Sequence, residues 1–177
     1  MKDIIKPIAV LAAICLVVTA LLAYINSVTS PIIAAANEKA AAEARQEVLP
    51  EADSFEKVDG VLLPEGVEEA YYAANGAGYV FKLTTKGYGG TIELMCGMNE
   101  DGSIANIVTL NHSETSGIGS KVVDDAGGYS KNYVGKTAED YAAVDAVTGA
   151  TISSKAYKRA VEAAFEAYMA VMGGAVE

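Results

Sequence analysis

The densest run of chemistry-bearing residues extends from Asp145 to Lys155, Asp-Ala-Val-Thr-Gly-Ala-Thr-Ile-Ser-Ser-Lys. Thr151 directly follows Thr148, Gly149 and Ala150, and the run sits where a loop turns into a helix. Small residues clear space around the Thr151 hydroxyl. The backbone N–H groups that open a helix have no partner within it and favour an anion. A phosphate group at Thr151 would meet donors there. The same letters also fit an ordinary Ser/Thr helix cap.

Two further segments invite the same question. In His112-Ser113-Glu114-Thr115-Ser116-Gly117-Ile118-Gly119, two glycines permit close backbone approach to something flat or bulky. Glu114 and Thr115 add an acceptor and a hydroxyl. Taken alone, the segment is a surface turn. Lys86-Gly87-Tyr88-Gly89-Gly90-Thr91-Ile92 is a glycine-rich entry into a strand, and alone it is a bulge or tight bend. No Cys/His cluster has the spacing of an iron–sulfur, haem or zinc site, and His112 is the only histidine. Cys15 and Cys96 are predicted to lie in an apolar span and in a strand, so they cannot meet as a disulfide.

The elements that must position these residues can be read from periodicity. Tyr79, Phe81 and Leu83 alternate with Val80, Lys82 and Thr84, a strand pattern. Ile92, Leu94 and Cys96 alternate with Thr91, Glu93 and Met95, a second strand. Asn99-Glu100-Asp101-Gly102 is a turn that pairs this strand with a third, Ile104 to Leu110. Thr115 to Gly128 reads as a glycine-rich loop with a short helix. From Ile152 to Met172, residues Tyr157, Val161, Ala164, Tyr168 and Val171 fall on one helical stripe. Ser153 or Ser154 is expected to cap this helix, and Gly173-Gly174 to stop it. The fold class is α+β: a twisted, mainly antiparallel sheet packed with helices.

Upstream lies a different kind of segment. Pro7 to Ile25 is nineteen residues without a charge, ten of them Val, Ile or Leu. As a helix it spans about 29 Å, close to the hydrocarbon thickness of a bilayer. A cleaved signal peptide is the competing reading, but the run is longer than a usual h-region of about 7–15 residues. Lys2 and Lys6 precede it, which favours a cytoplasmic N-terminus with the rest of the chain outside. Asn26 to Pro31 reads as a break, followed by an Ala- and Glu-rich juxtamembrane helix that ends before Pro50. The expected division is a transmembrane anchor at 1–30, a juxtamembrane helix at 31–51 and a globular domain at 52–177. Residues 26–177 carry 22 acidic and 11 basic side chains, a net charge of −11. That argues against nucleic acid and anionic lipid surfaces as partners of the domain.

Asp-x-x-Thr-Gly-Ala-Thr-x-Ser resembles the flavinylation motif of the FMN-binding domain family, in which the last Thr of the triplet carries FMN through a phosphoester. By that correspondence the bearer is Thr151. Gly-Tyr-x-Gly-x-Ile, then a strand pair, then His-x-Glu-Thr-x-Gly-x-Gly, then Thr-Gly-Ala-Thr resembles the G subunits of Rnf complexes, which are ion-translocating ferredoxin:NAD oxidoreductases. The resemblance covers most of the chain. It departs at Ser116, where Pro is usual, and at Ile118, where Leu is usual. Ile for Leu is nearly volume-neutral, whereas Ser for Pro loosens the turn.

The resemblance implies roles for matching positions. Thr151 carries the FMN phosphate, and Thr148, Gly149 and Ala150 shape its loop. Asp145 helps a separate flavin transferase recognise the site, or orders the loop as a cap. Glu114, Thr115, Gly117 and Gly119 line the flavin. Tyr88 and His112 are further candidates with plainer readings, a core aromatic and a solvated strand end. The implied activity is electron relay beside other membrane subunits of an Rnf-type complex, with no substrate turned over by this chain alone. The C subunit of sodium-pumping NADH:quinone oxidoreductase resembles the same motifs but is usually longer. The same residues also leave room for a stand-alone extracellular flavoprotein or a flavin-free scaffolding domain.

Overall fold

The computed structural model describes residues 2–124 and 127–174. The chain divides into two compact units, 1–40 and 41–177.

The first unit is helical, the N-terminal part of helix α1 (Lys2–Val48). Its apolar side chains are solvent-facing: Leu11, Leu16, Val17 and Leu22 are each more than half exposed. It is long and apolar enough to cross a membrane. The break expected at Asn26–Pro31 is not there, because α1 runs through Pro31 without interruption. Asn, Ser and Thr each cost only about 0.7 kcal/mol or less in a helix interior, and Pro about 3 kcal/mol. Helix propagating from both sides outweighs them. Ser27 Oγ also donates to the Tyr24 carbonyl at 2.7 Å.

The second unit is built on one antiparallel sheet in strand order β1-β2-β3-β4-β5. The strands are β1 (Phe55–Lys57), β2 (Val67–Ala73), β3 (Gly78–Lys86), β4 (Thr91–Asn99) and β5 (Ile104–His112). The three strands expected from alternation are β3, β4 and β5. The two outer strands, β1 and β2, are additions to that expectation. Val-Glu-Glu-Ala-Tyr-Tyr-Ala in β2 is rich in helix formers, and pairing with β3 overrides that preference.

Alternation sends side chains to two cores. Phe81, Leu83, Ile92, Leu94, Cys96 and Met98 join a core with helix α3 (Thr151–Gly174), whose Tyr157, Val161, Ala164 and Val171 are buried in it. Tyr168 packs at its margin, so the expected stripe faces the sheet. On the other face, Val80, Met95 and Val108 pack against Ala41, Ala44, Val48 and Leu49 from the end of α1. Gly97 permits this approach, since a Cβ there would lie 2.3 Å from the Val48 carbonyl oxygen. Arg45 adds a cation–π contact, 4.5 Å from the Tyr71 ring centroid.

Between β5 and α3 the described residues include the short helix α2 (Ser120–Val123) and the 3₁₀ turns Ser130–Tyr133 and Tyr141–Ala143. Residues 125–126 of the expected glycine-rich loop fall outside the described residues. Tyr129, Tyr133 and Tyr157 stack or meet edge-on with centroids 5.6–5.7 Å apart. This aromatic cluster fixes the connection against the α3 face that follows the Thr151 segment.

Candidate functional site

α3 begins at Thr151 itself, one residue earlier than expected. The Ser154 amide donates to the Ala150 carbonyl at 2.9 Å, so Ala150 occupies the cap position and has no side-chain oxygen to give. The expectation that Ser153 or Ser154 caps the helix is therefore corrected. Both lie inside the first turn, and other partners claim their hydroxyls. Ser154 Oγ accepts from the Val147 amide at 3.0 Å and pulls the preceding loop onto the helix. Ser153 Oγ donates to Glu114 Oε2 at 2.5 Å. Gly149 makes the turn into the helix with φ +83°, a left-handed conformation that disfavours side chains. The result is an exposed Thr151 hydroxyl on a helix start whose first-turn amides have no acceptor within the helix.

Glu114 ties the three candidate segments together. It is only 8% exposed, the one buried carboxylate among the described residues. Its Oε1 accepts from the Gly89 amide at 3.0 Å, while Oε2 takes the Ser153 hydroxyl. Glycine is required around it. A Cβ on Gly87 would lie 2.1 Å from Oε1, and one on Gly119 would lie 2.3 Å from Oε2. The glycines of two loops thus make room for one carboxylate that reaches the first turn of α3.

His112 supports this arrangement from outside. Its Nδ1 accepts from the Glu114 amide at 3.2 Å, leaving the Nε2 proton for Asp124 Oδ1 at 2.9 Å. It pins the loop and does not line the cavity. Gly117 turns at φ +78°, and its amide donates to Ser120 Oγ at 2.9 Å.

A cavity of about 340 Å³ opens between these segments. Glu114, Thr115, Gly119, Gly149, Ala150 and Thr151 line it, six of the candidate residues. Tyr88, Ile118, Ile152 and Ser153 complete the wall. Asp145, Thr148 and Gly117 are exposed and not in the wall. The volume lies within the range of about 300–1,000 Å³ typical of small-molecule sites. Tyr88, Ile118 and Ile152 are 71%, 53% and 55% exposed and form an apolar rim. Deeper in, the wall turns polar.

A larger groove of about 670 Å³ runs along β2, β3 and α3, but Glu65, Glu68, Glu162 and Glu166 line it. Lys86 and Arg159 also line it, so its lining is net acidic, four carboxylates against two basic side chains. The smaller cavity fits FMN by its own features. It has an apolar rim for a ring system, a buried acceptor, glycine backbone permitting close approach, and a helix start for a phosphate. No local pattern signals the Ser153–Glu114 bond, because the partners are 39 residues apart.

The fold is a small α+β domain with a cavity at the start of its last helix, and a long apolar helix precedes it in the chain. Residues 87–166 match the FMN-binding domain family, and residues 1–48 match the N-terminal region of RnfG. The chain is 32% identical to the G subunit of the Na⁺-translocating ferredoxin:NAD⁺ oxidoreductase complex of Acetobacterium woodii, covering 94% of this chain and 92% of that one. It is 30% identical to the G subunit of the proton-translocating ferredoxin:NAD⁺ oxidoreductase complex of Clostridium ljungdahlii, over 90% and 89% of the two chains. It is 32% identical to the G subunit of the ion-translocating oxidoreductase complex of Methanosarcina acetivorans, over 93% and 94%. The chain belongs to the family of G subunits of Rnf-type ion-translocating oxidoreductase complexes.

Proposed function

We propose that this protein is the electron-relay subunit of an Rnf-type membrane complex and carries FMN covalently, through a phosphoester on Thr151. The observation that carries the reading is the placement of Thr151. It is an exposed hydroxyl at the uncapped start of α3, in the wall of a cavity that also gathers Glu114, Thr115 and Gly119. FMN supplies one- and two-electron redox chemistry, and the protein contributes position and electrostatics. The first-turn amides of α3 hold the phosphate. Gly149 and Ala150 shape the loop, and Thr148 borders it. Glu114 and Thr115 offer polar contacts to the flavin, and Gly119 lines the cavity while making room for the Glu114 carboxylate. Gly117 sets the turn of that loop. Asp145 is exposed beside the loop, where a separate flavin transferase can reach it.

The helical first unit suits a bilayer, since its large apolar side chains are exposed from Ile5 to Ile33. We place residues 1–30 across the membrane with the N-terminus cytoplasmic and the FMN domain outside. The other membrane subunits of the complex are its partners. Residues 31–51 continue from the anchor, and from Ala41 onward they already pack on the sheet of the globular unit. A covalent bond keeps the cofactor where no flavin pool replaces it. The longer C subunit of the NADH:quinone enzymes fits less well, because this chain spans about nine-tenths of its G-subunit relatives.

The test is Thr151→Val in the full chain produced with a flavin transferase. Thr151 is exposed and is not the helix cap, so the fold should persist within about 0.5 kcal/mol. Fluorescence of the denatured protein in a gel should vanish, and the mass of a peptide spanning 141–158 should lose its FMN increment. Flavin retained in Thr151→Val, or mapped to Thr148, Ser153 or Ser154, overturns the assignment.

A further inference from the structure

We infer that Glu114 sets the reduction potential of the bound flavin, holding it low through a buried negative charge in the cavity wall. This rests on the reading that FMN occupies the cavity. Three features of the structure carry it.

The first is that both of its hydrogen-bond partners are donors. The Gly89 N–H and the Ser153 O–H point at its two oxygens, at 3.0 and 2.5 Å, the pattern of a carboxylate. The second is that both of these partners are uncharged, an amide and a hydroxyl, and the ion pairs Lys57–Glu69, Lys82–Glu68, His112–Asp124 and Lys136–Asp140 do not include it. The third is the space cleared for it. Gly87 and Gly119 both lack the Cβ that would collide with its oxygens. That clearance lets the carboxyl group sit in the cavity wall, between two loops and the first turn of α3.

A carboxylate has about four acceptor positions, and two are used here. The remaining capacity borders the cavity and is available to a ring N–H of the ligand. Each electron added to the flavin adds negative charge to the same cavity. With little solvent to screen it, Glu114 opposes that addition more strongly than a surface acid would. Glu114 acts on the flavin through this field and through the Gly89 amide and Ser153 hydroxyl that it orients.

The experiment is a dithionite titration of the full chain in detergent, with indicator dyes, on the wild type, Glu114→Gln and Ser153→Ala. Gln keeps the shape, still accepts from Gly89 and can donate to Ser153, but removes the charge. Its midpoint potential should shift to more positive values while covalent flavin is retained. Ser153→Ala keeps the charge and removes one donor that moderates it, so its potential should shift to more negative values or stay. This split in sign separates a charge effect from disruption of the network, which would move both variants the same way. An unchanged or more negative potential in Glu114→Gln overturns the inference, as does an equal positive shift in both variants.

A second arm is independent of the covalent bond. In Thr151→Val, free FMN is titrated in its oxidised and dithionite-reduced forms, with and without Glu114→Gln. The Gln variant should favour reduced over oxidised FMN more than its parent does, and an unchanged preference overturns the inference. If the wild type carries no covalent flavin but this preference shifts, the attachment reading fails while the role of Glu114 stands. A chain that takes FMN by neither route overturns both.

Discussion

Replacing Gly119 with Ala tests the geometry of the buried carboxylate directly. Gly119 has ordinary right-handed helical backbone, φ −66° and ψ −32°, so alanine brings no backbone strain. The whole cost comes from the new methyl group. It would lie 2.3 Å from Glu114 Oε2, 3.0 Å from Glu114 Cβ and 3.1 Å from Ser153 Oγ. Comfortable contact needs about 3.5 Å, so the carboxylate must withdraw by roughly 1 Å. That breaks the 2.5 Å bond from Ser153. Hydrogen bonds to charged groups contribute about 1.5–3 kcal/mol. Ala also stiffens the unfolded chain relative to Gly, returning about 0.4–1 kcal/mol. The net loss is about 1–2 kcal/mol. For a domain of this size the melting temperature should fall by roughly 2–8 °C. Scanning calorimetry on the full chain in detergent measures it. In a Glu114→Ala background the 2.3 Å obstacle is gone and only the milder contacts at 3.0 and 3.1 Å remain, so Gly119→Ala should cost clearly less there than in the wild type. Additive costs in the double variant, within about 0.5 kcal/mol, would refute the reasoning.

Single contacts carry the remaining expectations. Gly149→Ala forces a side chain into φ +83° and should cost about 1–2 kcal/mol while slowing FMN attachment, read by in-gel fluorescence over time. Gly97→Ala pushes a methyl group to 2.3 Å from the Val48 carbonyl oxygen, which is backbone and cannot rotate away. It should destabilise the packing of α1 on the sheet by about 1–3 kcal/mol, seen as faster proteolysis near residues 41–52. Burial pushes the Cys96 thiol up to about 12 from 9.0. The folded state therefore favours the protonated thiol. Its stabilisation is complete below pH 9 and is lost as pH rises toward 12, by up to about 1.4 kcal/mol per pH unit. Cys96→Ala should flatten that alkaline loss in denaturant titrations. Protease added outside spheroplasts should digest the globular domain without lysis, and protection until lysis would reverse the proposed orientation.

Local pattern was enough to reveal much of this protein. Nineteen uncharged residues specify an apolar helix because length and composition alone decide that property. Alternation revealed β3 and β4, whose two side-chain sets feed the cores on the two faces of the sheet, and the Asn99–Gly102 turn pointed to β5. The stripe through Tyr157, Val161 and Ala164 revealed the core face of α3 for the same reason. The Thr-Gly-Ala-Thr run marked the loop-to-helix turn that borders the cavity, because such a turn with small residues is written in consecutive letters.

What required the tertiary structure is whatever depends on partners distant in sequence. β2 is a strand because β3 pairs with it, against the preference of its Glu and Ala residues. α1 continues past Pro31, where local punctuation suggested a stop. Ser153 and Ser154 look like caps in one dimension, but Glu114 and the Val147 amide capture their hydroxyls. Glu114 reads as one acidic letter in a turn. Its character comes from burial between two glycine loops and a helix start that the fold brings together. No local propensity encodes that meeting, since hydrogen bonding and exclusion of Cβ atoms act across space and not along the chain.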